Sequence, residues 1–459
     1  MKERKVIKMI GLAIALGTIG CEWTWMLDKS SLVVNGALIF ALIVILYAGI
    51  RLGAFRFNYI STAMRNFALI LLLLLGVVII LERIHSSPFD VPFTISVLRI
   101  YYGLLLCILC GIIGYRIGVK RLNTYWFLNS TACVIAILSV YFYLFPLPRG
   151  AEVIYQFPSL FVGFPVRFFS LFAFCWYLFR WLGERKIFSW TFLFLLTSAF
   201  PVLVAFHKPL VFSAIVSGFA IIVIMLIRGL GRARTIARSC LLLTVTFLIF
   251  VSANAISRGR IFADYKQQFL YYFLHDVGGY WFTSNAELLE SASGGRFVLW
   301  NEGLSRFIRS PWVGSGFGQT IESGFAEENI PFHNGYLDLI LSVGFLGAIP
   351  FIVLFVWWAA TVVSATANRN FAFVTPVIAF VAGLAGYNLG GTSRLFFFVS
   401  AFALLLMGLV CGHVRRARRV DGMSIVATIV QPPGNVHYQG VSDVLIEYSS
   451  PTEMNRVRP

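Results

Sequence analysis

Long apolar runs separated by short polar stretches recur along nearly the whole chain. A helix rising 1.5 Å per residue needs about 20 mostly apolar residues to cross a bilayer. Runs of this kind fall at 8–27, 32–50, 66–81, 97–118, 124–146, 158–180, 188–206, 209–227, 237–257, 334–360, 371–389 and 395–412, twelve in all. The run at 66–81 is short. Those at 188–206 and 209–227 are divided only around His207, Lys208 and Pro209, so the two could also form one broken element. The pattern predicts an all-α polytopic membrane protein with about twelve transmembrane helices.

Composition agrees and narrows the class. The chain is 59% hydrophobic and only 12% charged over 459 residues, against about 45–50% and 25% in soluble domains. This excludes soluble enzymes. It also changes the meaning of the +17 net charge, because Lys and Arg in such a chain set topology before they bind anything, and no nucleic-acid partner is implied. With the N-terminus on the cytoplasmic side, the inner segments Lys2 to Lys8, Arg51 to Arg65, Arg116 to Arg121, Arg180 to Lys186, Arg228 to Arg238, Arg369 and the tail from Arg415 hold 24 of the 37 basic residues. Outside, apart from one long loop, there are only Lys29, Arg83, Arg149, Lys208 and Arg394. Both termini are therefore expected in the cytoplasm. The seven cysteines all lie in or beside apolar runs, reading as small buried hydrophobes rather than as a disulfide framework. The opening MKERKVIK and its apolar run resemble a signal peptide, but the polytopic pattern favours a retained first span.

Between Asn254 and Phe332 the chain leaves the membrane for far longer than a typical connection of about 4–6 residues. Amphipathic helices are expected at 262–275 and 296–309, suited to lie on the outer interface or to form a cap over the bundle. The glycine-rich turn Pro311-Trp312-Val313-Gly314-Ser315-Gly316-Phe317-Gly318 follows. Without a βαβ context it reads as a tight turn or a close backbone approach, not a nucleotide site. His333 stands at the external end of a span, where a neutral imidazole can accept a proton from a hydroxyl, with Asn334 or Asp338 placed to orient it. The plainer alternative for His333 is a helix-end hydrogen bond, and for Asp338 an ordinary buried polar contact.

The cations left outside have a pattern of their own. Arg99 and Arg167 fall within spans toward their outer ends, Arg394 opens the last span, and Lys208 sits at an external turn. A guanidinium near hydrocarbon is costly unless it snorkels or meets an anion. Together with Arg258, Arg260 and Arg296 of the loop, these residues could line an outward cavity selective for phosphate, which Arg grips bidentately without a metal. The outer carboxylates show no DxD pair and the histidines no HxxxH spacing, so no metal or other cofactor is expected.

Four stretches then bear a resemblance when taken together: Ser293-Gly294-Gly295-Arg296-Phe297-Val298-Leu299-Trp300, the turn 311–318, His333-Asn334-Gly335-Tyr336-Leu337-Asp338 and Gly344-Phe345-Leu346-Gly347. In order and context they resemble the signature of the O-antigen ligase and polymerase superfamily of bacterial inner-membrane glycosyltransferases. The likeness is strong over about 240–410 and general elsewhere. It implies a GT-C-like architecture with one large periplasmic loop, His333 as catalytic base and Arg296 as a diphosphate-binding residue. The family's Ser-Arg turn reads Ala205-Phe206-His207-Lys208-Pro209 here, so Lys208 is the nearest cationic substitute, with Arg167 or Arg394 able to supply a second contact.

On that resemblance the chain divides into an N-terminal transmembrane bundle over 1–257, a periplasmic loop over 258–333, C-terminal transmembrane helices over 334–412 and a cytoplasmic tail over 413–459. The expected reaction polymerises polyprenyl-diphosphate-linked repeat units of an exopolysaccharide or O-antigen, by inverting, metal-independent transfer. A ligase passing finished glycan to lipid A-core or another acceptor is the alternative, and a polysaccharide or lipid transporter the non-enzymatic one. The missing Ser-Arg turn tilts the expectation toward the polymerase. A chain-length regulator and a flippase are the expected protein partners. In the tail, IVATIV and VSDVLIEY read as two short strands.

Overall fold

The computed structural model describes residues 31–54, 69, 76, 91–119, 128–137, 164–204, 208–227, 232–256, 303–305, 307–314, 335–366, 374–390 and 397–430. Every regular element among them is helical. The principal helices are α1 (Ser31–Leu52), α2 (Val91–Val119), α3 (Phe164–Gly183), α4 (Trp190–Val204), α5 (Lys208–Ile227), α6 (Arg232–Ile256), α7 (Gly335–Thr366), α8 (Val374–Gly390) and α9 (Phe397–Val430). Expected spans 8–27 and 66–81 lie outside the described residues, save Leu69 and Gly76, and of 124–146 the part 128–137 is helical. The two runs around His207 form separate helices, α4 and α5.

Helix ends follow local chemistry. α1 stops where Gly53 takes φ 62°, so that Gly53 N–H donates to the Ile50 carbonyl at 3.0 Å and Ala54 N–H to the Gly49 carbonyl at 2.8 Å. This is a Schellman closure, and glycine tolerates the left-handed turn that it needs. α4 starts behind Ser189, whose hydroxyl accepts a weak 3.4 Å bond from Phe192 N–H. Pro209 sits in the first turn of α5, where its missing N–H removes no helical bond.

The chain divides into two compact units, Met1–Val414 and Arg415–Pro459. In the second, the described residues 415–430 are helical, including IVATIV, which corrects the expected strand. Those six residues lack the alternating polar positions that hold one face of a strand to water, and α9 runs on through them. VSDVLIEY lies outside the described residues.

In the first unit, helices from before residue 257 and after residue 334 pack into one bundle. At its centre Phe172 of α3 meets Phe380 of α8 at 5.6 Å and Phe402 of α9 at 5.1 Å, both edge-to-face. α3 and α8 run antiparallel, since Phe168 pairs with Tyr387 while Phe172 pairs with Phe380. α3 and α4 are also antiparallel, with Tyr177 stacked on Phe194 and Trp181 on Phe192. α5 packs on α8 through small residues: Ser217 Oγ donates to the Ala379 carbonyl at 2.8 Å, and a Cβ on Gly383 would overlap that hydroxyl.

α2 and α9 approach still more closely. A Cβ on Gly114, Gly118, Gly408 or Gly412 would overlap a carbonyl oxygen of the facing helix, those of Leu405, Leu409, Gly111 and Tyr115 respectively. Both helices thus place glycines four residues apart along one seam, and they run parallel. Such backbone-to-backbone crossings suit a bilayer, where van der Waals packing rather than water exclusion joins helices.

The outer faces complete the class. Ile349, Ile352, Val353, Phe355 and Val356 of α7 and Phe212, Ile215 and Phe219 of α5 are exposed, forming apolar stripes that water would not tolerate. Among the described residues, Leu210–Ile227 is long and apolar enough to cross a membrane, and shorter apolar helices surround it. The protein is an all-α, membrane-associated helical bundle.

Candidate active site

Four helix ends meet around residues 385–388 at the end of α8. Tyr336, in the first turn of α7, donates its hydroxyl to the Ala385 carbonyl at 2.8 Å. Gly335 lies so close to Asn388 that a Cβ would overlap the Asn388 side chain, while Asn388 Nδ2 donates to the Leu384 carbonyl at 3.1 Å. Phe168, at the start of α3, stands edge-on to Tyr387 with centroids 4.5 Å apart. From the start of α5, Phe212 borders Gly386, where a Cβ would come within 3.4 Å of its ring.

Three of these ends, those of α3, α5 and α7, are N-termini. Each brings the partial positive charge of a helix N-terminus. Arg167 is the fourth residue of α3, Lys208 the first of α5 and Asp338 the fourth of α7. The fold therefore brings the backbone positions of Arg167, Lys208 and Asp338 to one junction. His333 and Asn334 directly precede Gly335 in sequence, but with Arg258, Arg260, Arg296 and Arg394 they lie outside the described residues.

The expected continuous span over 334–360 is in fact broken. At Gly344 the backbone leaves the helix, with φ 63° and ψ −171°, so α7 consists of a short front piece and a longer rear one. The break frees two N–H groups, and the loop takes them up: Phe345 N–H donates to the Pro311 carbonyl at 2.9 Å and Leu346 N–H to the Trp312 carbonyl at 3.1 Å. Phe345 also meets Phe307 at 5.1 Å and Trp312 at 6.1 Å, both edge-to-face. Gly314 turns the loop with φ 71° and donates its N–H to the Ser310 carbonyl at 2.9 Å. The tight-turn reading of the glycine-rich segment thus applies at Gly314, while Gly316 and Gly318 lie outside the described residues. Of the amphipathic helix expected at 296–309, residues 303–305 and 307–309 are helical; the one at 262–275 lies outside.

Tyr336, Asn388 and the Trp312–Gly344 contact were not singled out as site residues from sequence. Asn388 carried a usable signal, a polar amide inside an apolar span. Among the described residues no three His, Cys, Asp or Glu side chains gather in a metal-ligating group. The six described cysteines are free thiols, and Cys107, Cys110, Cys175 and Cys411 are buried.

The fold and junction define the class first: a membrane-associated helical bundle with a cation-bearing convergence of helix N-termini. Comparison with known families then sharpens it. Residues 210–352 match the family described as O-antigen ligase, so the chain carries a domain of that family. The matched stretch begins in α5, contains α6 and, in sequence, Arg296 and His333, and ends in the rear piece of α7. No curated protein matches the chain significantly.

Proposed function

We propose that the protein is a membrane-embedded glycosyltransferase of ligase type, transferring glycan from a polyprenyl-diphosphate carrier to an acceptor at the junction of α3, α5, α7 and α8. The observation that carries this reading is the meeting of three helix N-termini with the positions of Arg167 and Lys208, where two of the helices, α5 and α7, overlap the O-antigen ligase match at 210–352. Oriented N–H groups and cations in a low-dielectric setting suit a diphosphate, whose charge grows as it departs.

In this mechanism Lys208 and Arg296 hold the diphosphate, with Arg167, Arg258, Arg260 and Arg394 available around it. His333, oriented by Asn334 or Asp338, takes the acceptor hydroxyl proton. The acceptor oxygen attacks the anomeric carbon from the face opposite the leaving group. The bond from that carbon to the diphosphate oxygen breaks, polyprenyl diphosphate departs with the electron pair, and the anomeric configuration inverts. General-base assistance of this kind contributes about 10²–10⁴ in rate. The arginines meet the developing charge, so no metal takes part.

The family match supports the ligase over the polymerase favoured from sequence. That preference rested on one altered turn, and Lys208 keeps a cation at the first position of α5. Lipid A-core is the acceptor class that fits a ligase. The loop at 258–333 would face the periplasm of a bacterial inner membrane and both termini the cytoplasm. The basic ends of α1 and α2, at Arg51 and Arg116, support that orientation.

Deleting the gene and resolving glycans by size tests the reading. Loss of a ligase leaves an intact lipid-linked ladder missing from its final acceptor. Short, single-unit products would assign the polymerase instead, and accumulation of untranslocated lipid-linked units would assign the transporter.

A further inference from the structure

At the far end of α3, away from the junction, the turn into α4 is built with unusual internal support. Glu184 accepts from Ser189 Oγ at 2.7 Å and Thr191 Oγ1 at 2.5 Å, and pairs with Arg180 at 3.6 Å. Trp181 Nε1 donates to the Ile187 carbonyl at 2.8 Å. Arg238, from the start of α6, is buried; it donates to the carbonyls of Trp181 and of Arg185, the latter at 3.0 Å, and lies 5.4 Å over the Trp181 ring. These contacts use up Glu184, the one acidic side chain in α3, α4, α6 and the turn joining α3 to α4.

What the turn holds outward is a mixture. Arg185, Lys186, Arg232 and Arg234 are exposed. Beside them Phe188 is 82% exposed, Trp190 77% and Ile236 53%. Such a surface fits neither water nor hydrocarbon alone. It fits the boundary between them, with aromatic rings at the depth of the glycerol and upper acyl chains and cations at the depth of phosphates.

We propose that this turn and the start of α6 form a binding site for the headgroup of an anionic phospholipid. Charge complementarity selects the occupant: four exposed cations stand beside a single carboxylate that already has internal partners. The fixed turn sets it apart from a loose basic loop, because the cations and rings are held on one rigid support before lipid arrives, which lowers the ordering cost of binding. The site does not depend on the glycan-transfer reading, since it lies at the other end of α3 from Arg167.

Native mass spectrometry of the full chain, released from vesicles of equal phosphatidylglycerol and phosphatidylcholine, tests the site. Phosphatidylglycerol should be retained in preference, and the Arg185→Gln/Lys186→Gln double variant should cut that preference about fivefold, since each exposed cation adds a modest attraction. The Phe188→Ser/Trp190→Ser variant should weaken retention of both lipids. Size-exclusion profiles matching the parent protein would confirm folding, and a variant that misfolds would be replaced by the single Lys186→Gln change, with a smaller loss of preference expected. Equal retention of the two lipids, an unchanged preference in the charge variants, or capture of a protein by this turn without lipid preference overturns the proposal.

Discussion

Gly344 lies directly against Trp312: a Cβ at residue 344 would overlap the Trp312 carbonyl and come within 2.6 Å of the Gly314 nitrogen. With φ at 63°, only glycine holds this position without strain. The contact joins the described segment 307–314 to the break in α7, and the front piece of α7 follows His333 in sequence. Gly344→Ala should therefore cost about 2–4 kcal/mol, combining left-handed strain with a backbone clash. A thermal melt of the purified protein should show a fall of several degrees, with tryptic cleavage at exposed Arg309 accelerated.

The α2–α9 seam leads to a second expectation. Gly408→Val puts three carbons where the Gly111 carbonyl already sits, and no flexible side chain is there to yield. Fluorescence-detected size exclusion should show most of the protein aggregated or degraded, whereas Ile352→Val, on an exposed face of α7, should leave the profile unchanged.

At the junction, Lys208→Gln removes the charge from the first position of α5. Donor KM in a transfer assay should rise about tenfold, in line with loss of a charge-assisted contact. Lys208→Arg should restore donor affinity or exceed it, because the guanidinium fork matches two phosphoryl oxygens. A donor KM unmoved by Lys208→Gln would remove Lys208 from the diphosphate contacts.

Much of the bundle was legible in the sequence, because hydropathy in a bilayer is a nearly direct code for helices. The run at 32–50 appears as Ser31–Leu52, and that at 371–389 as Val374–Gly390. The break at Gly344 was not legible as a break. Gly344 belongs to a recognised stretch, yet a glycine within an apolar run leaves hydropathy almost unchanged, and its φ is set by a loop thirty residues away. The same holds for Arg238, which charge counting assigns to the inner surface but which the fold buries against Trp181. Positions such as Arg167 and Lys208 were legible as cations in unexpected places. Their meeting at α8 depends on contacts between helices far apart in sequence, such as Phe168 with Tyr387, which no local pattern encodes.

On the proposed function, this junction forms a glycosidic bond with His333 as its base. The most direct measurement is product formation by the purified protein with polyprenyl-diphosphate-linked glycan and a lipid A-core acceptor, comparing the parent protein with His333→Ala. Glycan should be joined to the acceptor and polyprenyl diphosphate released, with a rate lowered about 10²–10⁴-fold in His333→Ala while the protein stays folded. Full activity in His333→Ala, or a rate abolished by chelating divalent metal, would contradict it.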